Sequence, residues 1–272
     1  MKQQIFLISF KKSLLSLRKR NPIHHAPKKL FSFLVICLIS LSFFSCSKEK
    51  GPRIASTLEG VDYEGNTLVE VTFKDESRMY FKLNDNATAE VVRGGLFISD
   101  NTDWILWIYR GDIVIPEHFT HDKTTYKVTG IGEYAFYSNT ESLIASVTLP
   151  TTIDTIREGA FHSCEHLTSI KIPQSVKYIG VRSFSGCRHL TSFEIPASVQ
   201  CLGMNVFSGC SSLKTLTCHA VIPPRSIIEF LYVDAYILLS EYIEKIYVPT
   251  ESVNLYKESP DWRYYKDIIV GF

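Results

Sequence analysis

"LTSIKIPQSVKYIGVRSFSGC", Leu167 to Cys187, is followed three residues later by "LTSFEIPASVQCLGMNVFSGC", Leu190 to Cys210. The two stretches share a register of 23 residues, which also spaces Pro150, Pro173 and Pro196, then Phe161, Phe184 and Phe207, then Cys164, Cys187 and Cys210. A fixed period of this length marks a chain built from stacked units, each too small to cover its own apolar face. Within one unit, Ile170 and Ile172 alternate with Ser169 and Lys171, so the isoleucines turn to a core and the polar pair turns out. Pro173 then ends the strand, because proline has no N–H to give a ladder. Val176, Ile179, Phe184 and Cys187 bring the chain back to the same interior along another wall. Parallel strands about 4.8 Å apart would turn each repeated residue type into a row.

Upstream, "IGEYAFYSNTESLIASVTLP" (Ile131 to Pro150) is the same unit with one extra residue on each side of Leu143, and "LKTLTCHAVIPP" (Leu213 to Pro224) opens a further one. The motif L-x-x-I-x-I-P-x-x-V-x-x-I-G-x-x-A-F-x-x-C resembles the BspA-like, or treponemal-type, leucine-rich repeat. The resemblance covers roughly residues 110 to 250, and it extends to an entry segment at Tyr109 to Phe136 and an exit segment at Ile243 to Ile269. The expected fold is a leucine-rich repeat solenoid, mainly β with short turns and helical segments, preceded by a small β-hairpin module.

The rest of the chain is read around that solenoid. Residues 1–45 carry eight Lys and Arg and no acid, and fifteen apolar-rich residues from Leu30 to Phe44 lead to Ser45-Cys46. That run is short of the roughly 20 residues a spanning helix needs, and it has the shape of a secretory signal. Apolar residues, a small residue and then cysteine resemble the bacterial lipoprotein signal, so Cys46 is the expected lipidation site; a plain cleaved signal and an uncleaved anchor remain as alternatives. The expected organisation is a signal over 1–45, a tether over 46–57, an N-terminal β module or cap over 58–108, a solenoid over 109–250 and a C-terminal cap over 251–272. The expected location is the outer membrane or cell surface of a Gram-negative bacterium.

The net charge of +1 over 272 residues hides an asymmetry. Removing the eight N-terminal cations from the 29 basic residues leaves 21 against 28 acidic ones. An acidic body argues against nucleic acid as a partner.

Cys164, His166, Cys187 and His189 contain the donor types of a Cys2His2 zinc site. Cys210 recurs without its histidine, so the favoured reading is a buried thiol ladder with the histidines outside; a metal site and a disulfide between stacked cysteines are the alternatives. Leaving out Cys37 and Cys46, five cysteines remain, an odd number that does not pair completely. His162 and His166, four apart, would align only on a helix, and a turn is expected there. No metal, cofactor or catalytic residue is expected, since no phosphate loop, catalytic triad or carboxylate pair stands out.

Function is therefore sought on the outward rows. Ser146, Ser169, Ser192 and Thr215 form one, and Thr148, Lys171, Glu194 and Thr217 the next, with Thr191 beside them. One reading is a solvated sheet face with Lys171 and Glu194 as a weak cross-strand pair. The other is a ligand face, as solenoids commonly present. The family resemblance implies a non-enzymatic surface protein that adheres to host or neighbouring-cell proteins. An alternative is a carbohydrate-binding lipoprotein using Trp104 and Trp107 in "NTDWILWIYR", against the plainer reading that they seal the solenoid entrance. An enzyme sited in the irregular segment Ile222 to Ser240 has no motif behind it.

Overall fold

A repeat of 23 residues with two short apolar runs closes as a coil with two β walls, and the coils stack. The computed structural model describes residues 52, 54–61, 67–93, 109–137, 143–227 and 239–272. Cys46, the signal segment, Trp104 and Trp107 lie outside the described residues, as does the middle of the Ile222 to Ser240 segment. Among the described residues, no helix is long and apolar enough to cross a membrane.

The first wall holds β5 (Gly111–Val114), β8 (Ile144–Thr148), β10 (Ser169–Ile170), β12 (Ser192–Ile195), β14 (Thr215–Cys218), β16 (Lys245–Val248) and β17 (Ile269–Gly271). The second wall holds β7 (Thr124–Ile131), β9 (Thr155–Ile156), β11 (Tyr178–Ile179), β13 (Cys201–Gly203) and β15 (Arg225–Ile227), all parallel, with β6 (His118–His121) antiparallel to β7. Between the walls, Pro150, Pro173 and Pro196 accept turn hydrogen bonds from Ile153, Val176 and Val199 at 3.3, 3.1 and 3.1 Å.

The small N-terminal β module is a four-stranded antiparallel meander: β1 (Ile54–Val61), β2 (Thr67–Phe73), β3 (Arg78–Leu83) and β4 (Thr88–Val92). Strand β4 pairs in parallel with β7, so the meander extends the second wall. Arg157 reinforces the joint with two bonds to the Glu90 carboxylate at 2.8 and 2.6 Å. At the other end, Val253–Glu258 forms α1, and Tyr256 and Trp262 are buried. Their polar atoms donate to the Ala220 and Pro224 carbonyls at 2.7 and 2.8 Å, as buried polar groups require.

The interior is made of rows. Phe136, Phe161 and Phe184 stack at centroid spacings of 5.1 and 5.1 Å, and all three are buried. Phe193, where neighbouring coils carry Val147, Ile170 and Leu216, turns its ring to Phe184 and Phe207 at 4.9 and 4.7 Å. The Phe184 to Phe207 spacing is 5.9 Å at this place. The first wall divides at the same coil, into a sheet ordered β10-β8-β5 and another ordered β12-β14-β16-β17. An aromatic ring in an aliphatic row takes more room than ladder spacing provides.

Cys164, Cys187 and Cys210 form the expected ladder. Each thiol donates to a phenylalanine carbonyl of the preceding coil: Phe136 at 3.2 Å, Phe161 at 3.3 Å and Phe184 at 3.1 Å. All are free, so the disulfide alternative does not hold. Burial pushes the Cys164 and Cys210 thiols up to about 12, and raises Cys187 well above the usual range.

Backbone shape recurs with the same period. Tyr134, Gly159, Arg182 and Asn205, two residues before each phenylalanine, all have left-handed φ between 51 and 58°. Two residues after it, Ser163, Gly186 and Gly209 do the same, at 58, 76 and 72°. This conformation turns amides to the next coil: Phe136 N–H reaches Ala160 at 2.8 Å, Phe161 reaches Ser183 at 2.7 Å and Phe184 reaches Val206 at 3.0 Å. Coils approach closely at Gly203, where a Cβ would sit 2.1 Å from the Val181 nitrogen.

Gly203→Ala is expected to lose about 3 kcal/mol in urea unfolding, because backbone must shift to admit the methyl. Ser163→Gly removes a left-handed non-glycine residue where the next coils already use glycine, and should change stability by no more than about 1 kcal/mol, in the stabilising direction. Equal losses in both variants would contradict the close-approach account. At neutral pH in the folded chain, Cys201, the partly exposed member of the five solenoid cysteines, should react with a thiol reagent while Cys164, Cys187, Cys210 and Cys218 react only after unfolding. Fast labelling of Cys164, Cys187 or Cys210 would break the ladder assignment.

Candidate ligand-binding face

The residues singled out for the ligand face occupy the outer side of the first wall. Ser146 stands opposite Asp112 on one side and Ser169 on the other, and Thr148 stands opposite Val114. In the second sheet of that wall, Ser192 pairs with Thr215 and Thr215 with Lys245, while Glu194 pairs with Thr217 and Thr217 with Tyr247. Lys171 follows β10 directly and Thr191 precedes β12. Thr148, Ser169, Lys171, Thr191, Ser192 and Glu194 are exposed, and Ser146, Thr215 and Thr217 are half-buried. The structure thus places all nine along one wall, although the division between β10 and β12 separates the first four from the other five.

Local electrostatics differ from the simple cross-strand picture. The carboxylate of Glu194 faces His219 at 3.5 Å, in place of the expected Lys171 pair. Glu194 is 79% exposed, so this contact is screened by water and contributes at most about 1 kcal/mol. Ser146 donates to the Asp112 carboxylate at 2.6 Å, and Lys214 meets Glu244 at 3.1 Å beside the wall. Asp112, Val114, Lys245 and Tyr247 lengthen both rows and were missed by reading the regular units alone. Their signal is the same strand-then-proline pattern in "YRGDIVIP" and "IEKIYVP".

A further outward row lies on the second wall, where Thr155 pairs with Tyr178, Tyr178 with Cys201, and Cys201 with Arg225. The 23-residue period run from Tyr178 identifies this row up to Cys201, and Arg225 falls one residue beyond it.

The Cys/His set does not converge. The three thiols are inside, whereas His166 and His189 are exposed and stack on each other at 5.7 Å with 8° between the rings. His189 Nδ1 lies 2.6 Å from the Glu165 carbonyl. His162 sits in a turn and stacks on Tyr137 at 5.2 Å, and burial, with help from Arg182, lowers its pKa. Arg93 lies over the same Tyr137 ring at 5.0 Å, so a sugar would find that ring already occupied. Thiols held near pKa 12 are not nucleophiles at neutral pH.

No curated protein matches the chain. Among solved structures, a leucine-rich repeat protein from Bacteroides capillosus is similar at 23% identity, with 62% of this chain and 93% of that chain covered and a TM-score of 0.40. The leucine-rich repeat protein of T. pallidum is similar at 19% identity, covering 62% of this chain and 68% of that one, with a TM-score of 0.45. A leucine rich cell surface protein from Faecalibacterium prausnitzii is 21% identical over 65% of this chain and 51% of its own length, with a TM-score of 0.38. The model of the BspA type leucine rich repeat region matches residues 119–255 in six copies, half of the chain. Stacked coils, recurring prolines, phenylalanines and cysteines, and that match together make this chain a member of the BspA-type leucine-rich repeat family.

Proposed function

We propose that the chain is a non-enzymatic, lipid-anchored protein of the bacterial cell surface whose solenoid binds an extracellular protein through the outer face of the first wall. The observation that carries this reading is the wall itself: two rows of outward, mostly small polar side chains in strand register, held on a backbone whose inner face is fully packed. A rigid scaffold lets such rows contact a partner with little ordering cost, and outward residues can vary without disturbing the core. A protein fits better than a glycan, because the rows run through serine and threonine and carry one aromatic residue, Tyr247, at their end. The anchor rests on the apolar run that leads to Cys46. Several acyl chains on one residue hold a protein stably at a membrane, where one chain holds it only marginally.

Replacing Lys171, Glu194 and Thr217 together by alanine should weaken whole-cell adhesion at least tenfold while leaving the unfolding temperature unchanged, since all three side chains point away from the core. Unchanged adhesion would remove this wall from the claim. For the anchor, Cys46→Ala should abolish incorporation of labelled palmitate and shift the protein out of the membrane fraction. Palmitate retained in that variant would place the acyl group elsewhere.

A further inference from the structure

Strand β1 is the edge of the meander, and it is held to the β6–β7 hairpin by side chains far apart in sequence. Asp122 and Lys123, both with left-handed φ (44 and 65°), turn β6 back on β7 and leave His121 at the strand end. The His121 ring is 4% exposed. Its Nδ1 lies 3.0 Å from the hydroxyl of Thr57, itself a buried residue of β1. Its Nε2 lies 3.0 Å from Glu59 Oε2 and 3.7 Å from Asp122 Oδ2. These three donor atoms fall within 4.8 Å of one another.

We propose that Glu59, His121 and Asp122 form a binding site for a borderline divalent cation of the Zn2+ class, which staples β1 to the β6–β7 hairpin. The donor set is one imidazole nitrogen and two carboxylates, a mixture that suits zinc, whereas Ca2+ and Mg2+ prefer oxygen donors alone. With ligand bonds of about 2.1 Å, neighbouring donors of a tetrahedral shell stand about 3.4 Å apart. The observed 3.0 and 3.7 Å lie on either side of that value.

The surroundings fit the same assignment. When His121 Nδ1–H donates to Thr57 Oγ1, the lone pair of Nε2 is aimed at the two carboxylates, the arrangement by which second partners orient metal-binding histidines. Glu59 and Asp122 are 51 and 65% exposed, so they can close on an ion and leave a position for water, while the buried imidazole fixes the site. Two carboxylates facing one imidazole nitrogen also exceed what it can serve. A single Nε2–H satisfies one of them, and a divalent cation neutralises both.

The test uses the full-length protein after EDTA treatment, with ZnCl2, CaCl2 and MgCl2 titrated by calorimetry and thermal unfolding followed in parallel. Glu59→Gln and Asp122→Asn keep the size of each side chain, and asparagine tolerates the left-handed φ of position 122. The wild-type chain should take up one more equivalent of Zn2+ than either variant, and Zn2+ should raise its unfolding temperature but not theirs. CaCl2 and MgCl2 should do neither. Equal Zn2+ uptake by wild type and both variants, uptake with no thermal shift, or an equal response to CaCl2 would each overturn the proposal.

Discussion

Each coil of this chain leaves an apolar flank and a row of unpaired amides and carbonyls that only the next coil can cover. Both needs are met by the same contact. The left-handed residues at Tyr134, Gly159 and Arg182 turn the backbone so that inter-coil hydrogen bonds form outside the regular strands as well as within them. The phenylalanines between those bonds stack face to face and exclude water from them. Each buried phenylalanine contributes about 2–3 kcal/mol of apolar burial, gained only when the coils are stacked. Stability in such an array is a property of neighbours, and no single unit carries it.

The cysteines follow from that contact. At the turn after each phenylalanine the space is small, and the carbonyl of the preceding coil's phenylalanine still has an open lone pair. A cysteine fills the space and offers a weak S–H donor to that oxygen. The histidines two positions later lie beyond the turn, on the surface, where they stack with each other. A pattern suggestive of metal chemistry is thus divided by the coil into an inner and an outer half. Phe193 marks the tolerance of the array: at its coil the phenylalanine spacing widens and the first wall divides, while the second wall runs on without a break.

That unbroken second wall joins the N-terminal meander to the coils. It receives the N-terminal meander through β4 and continues to β15. The first wall, in contrast, offers its outer rows in two sheets. Outward positions face few packing demands, so their chemistry is free to vary.

The sequence by itself determined the repeat, its period, the strand that proline ends, and the burial of Cys164, Cys187 and Cys210, because each of these follows from local periodicity acting on every unit alike. It also marked the outward rows, since alternation along a strand decides which side chains leave the core. Only the tertiary structure decided what the irregular segments do. That the meander extends the second wall, that Glu194 meets His219 rather than Lys171, and that Thr57 and Glu59 meet His121 across more than 60 residues all depend on which edges and faces come together in space. Those contacts occur once, between segments with no shared period, and a pattern in sequence records only what repeats.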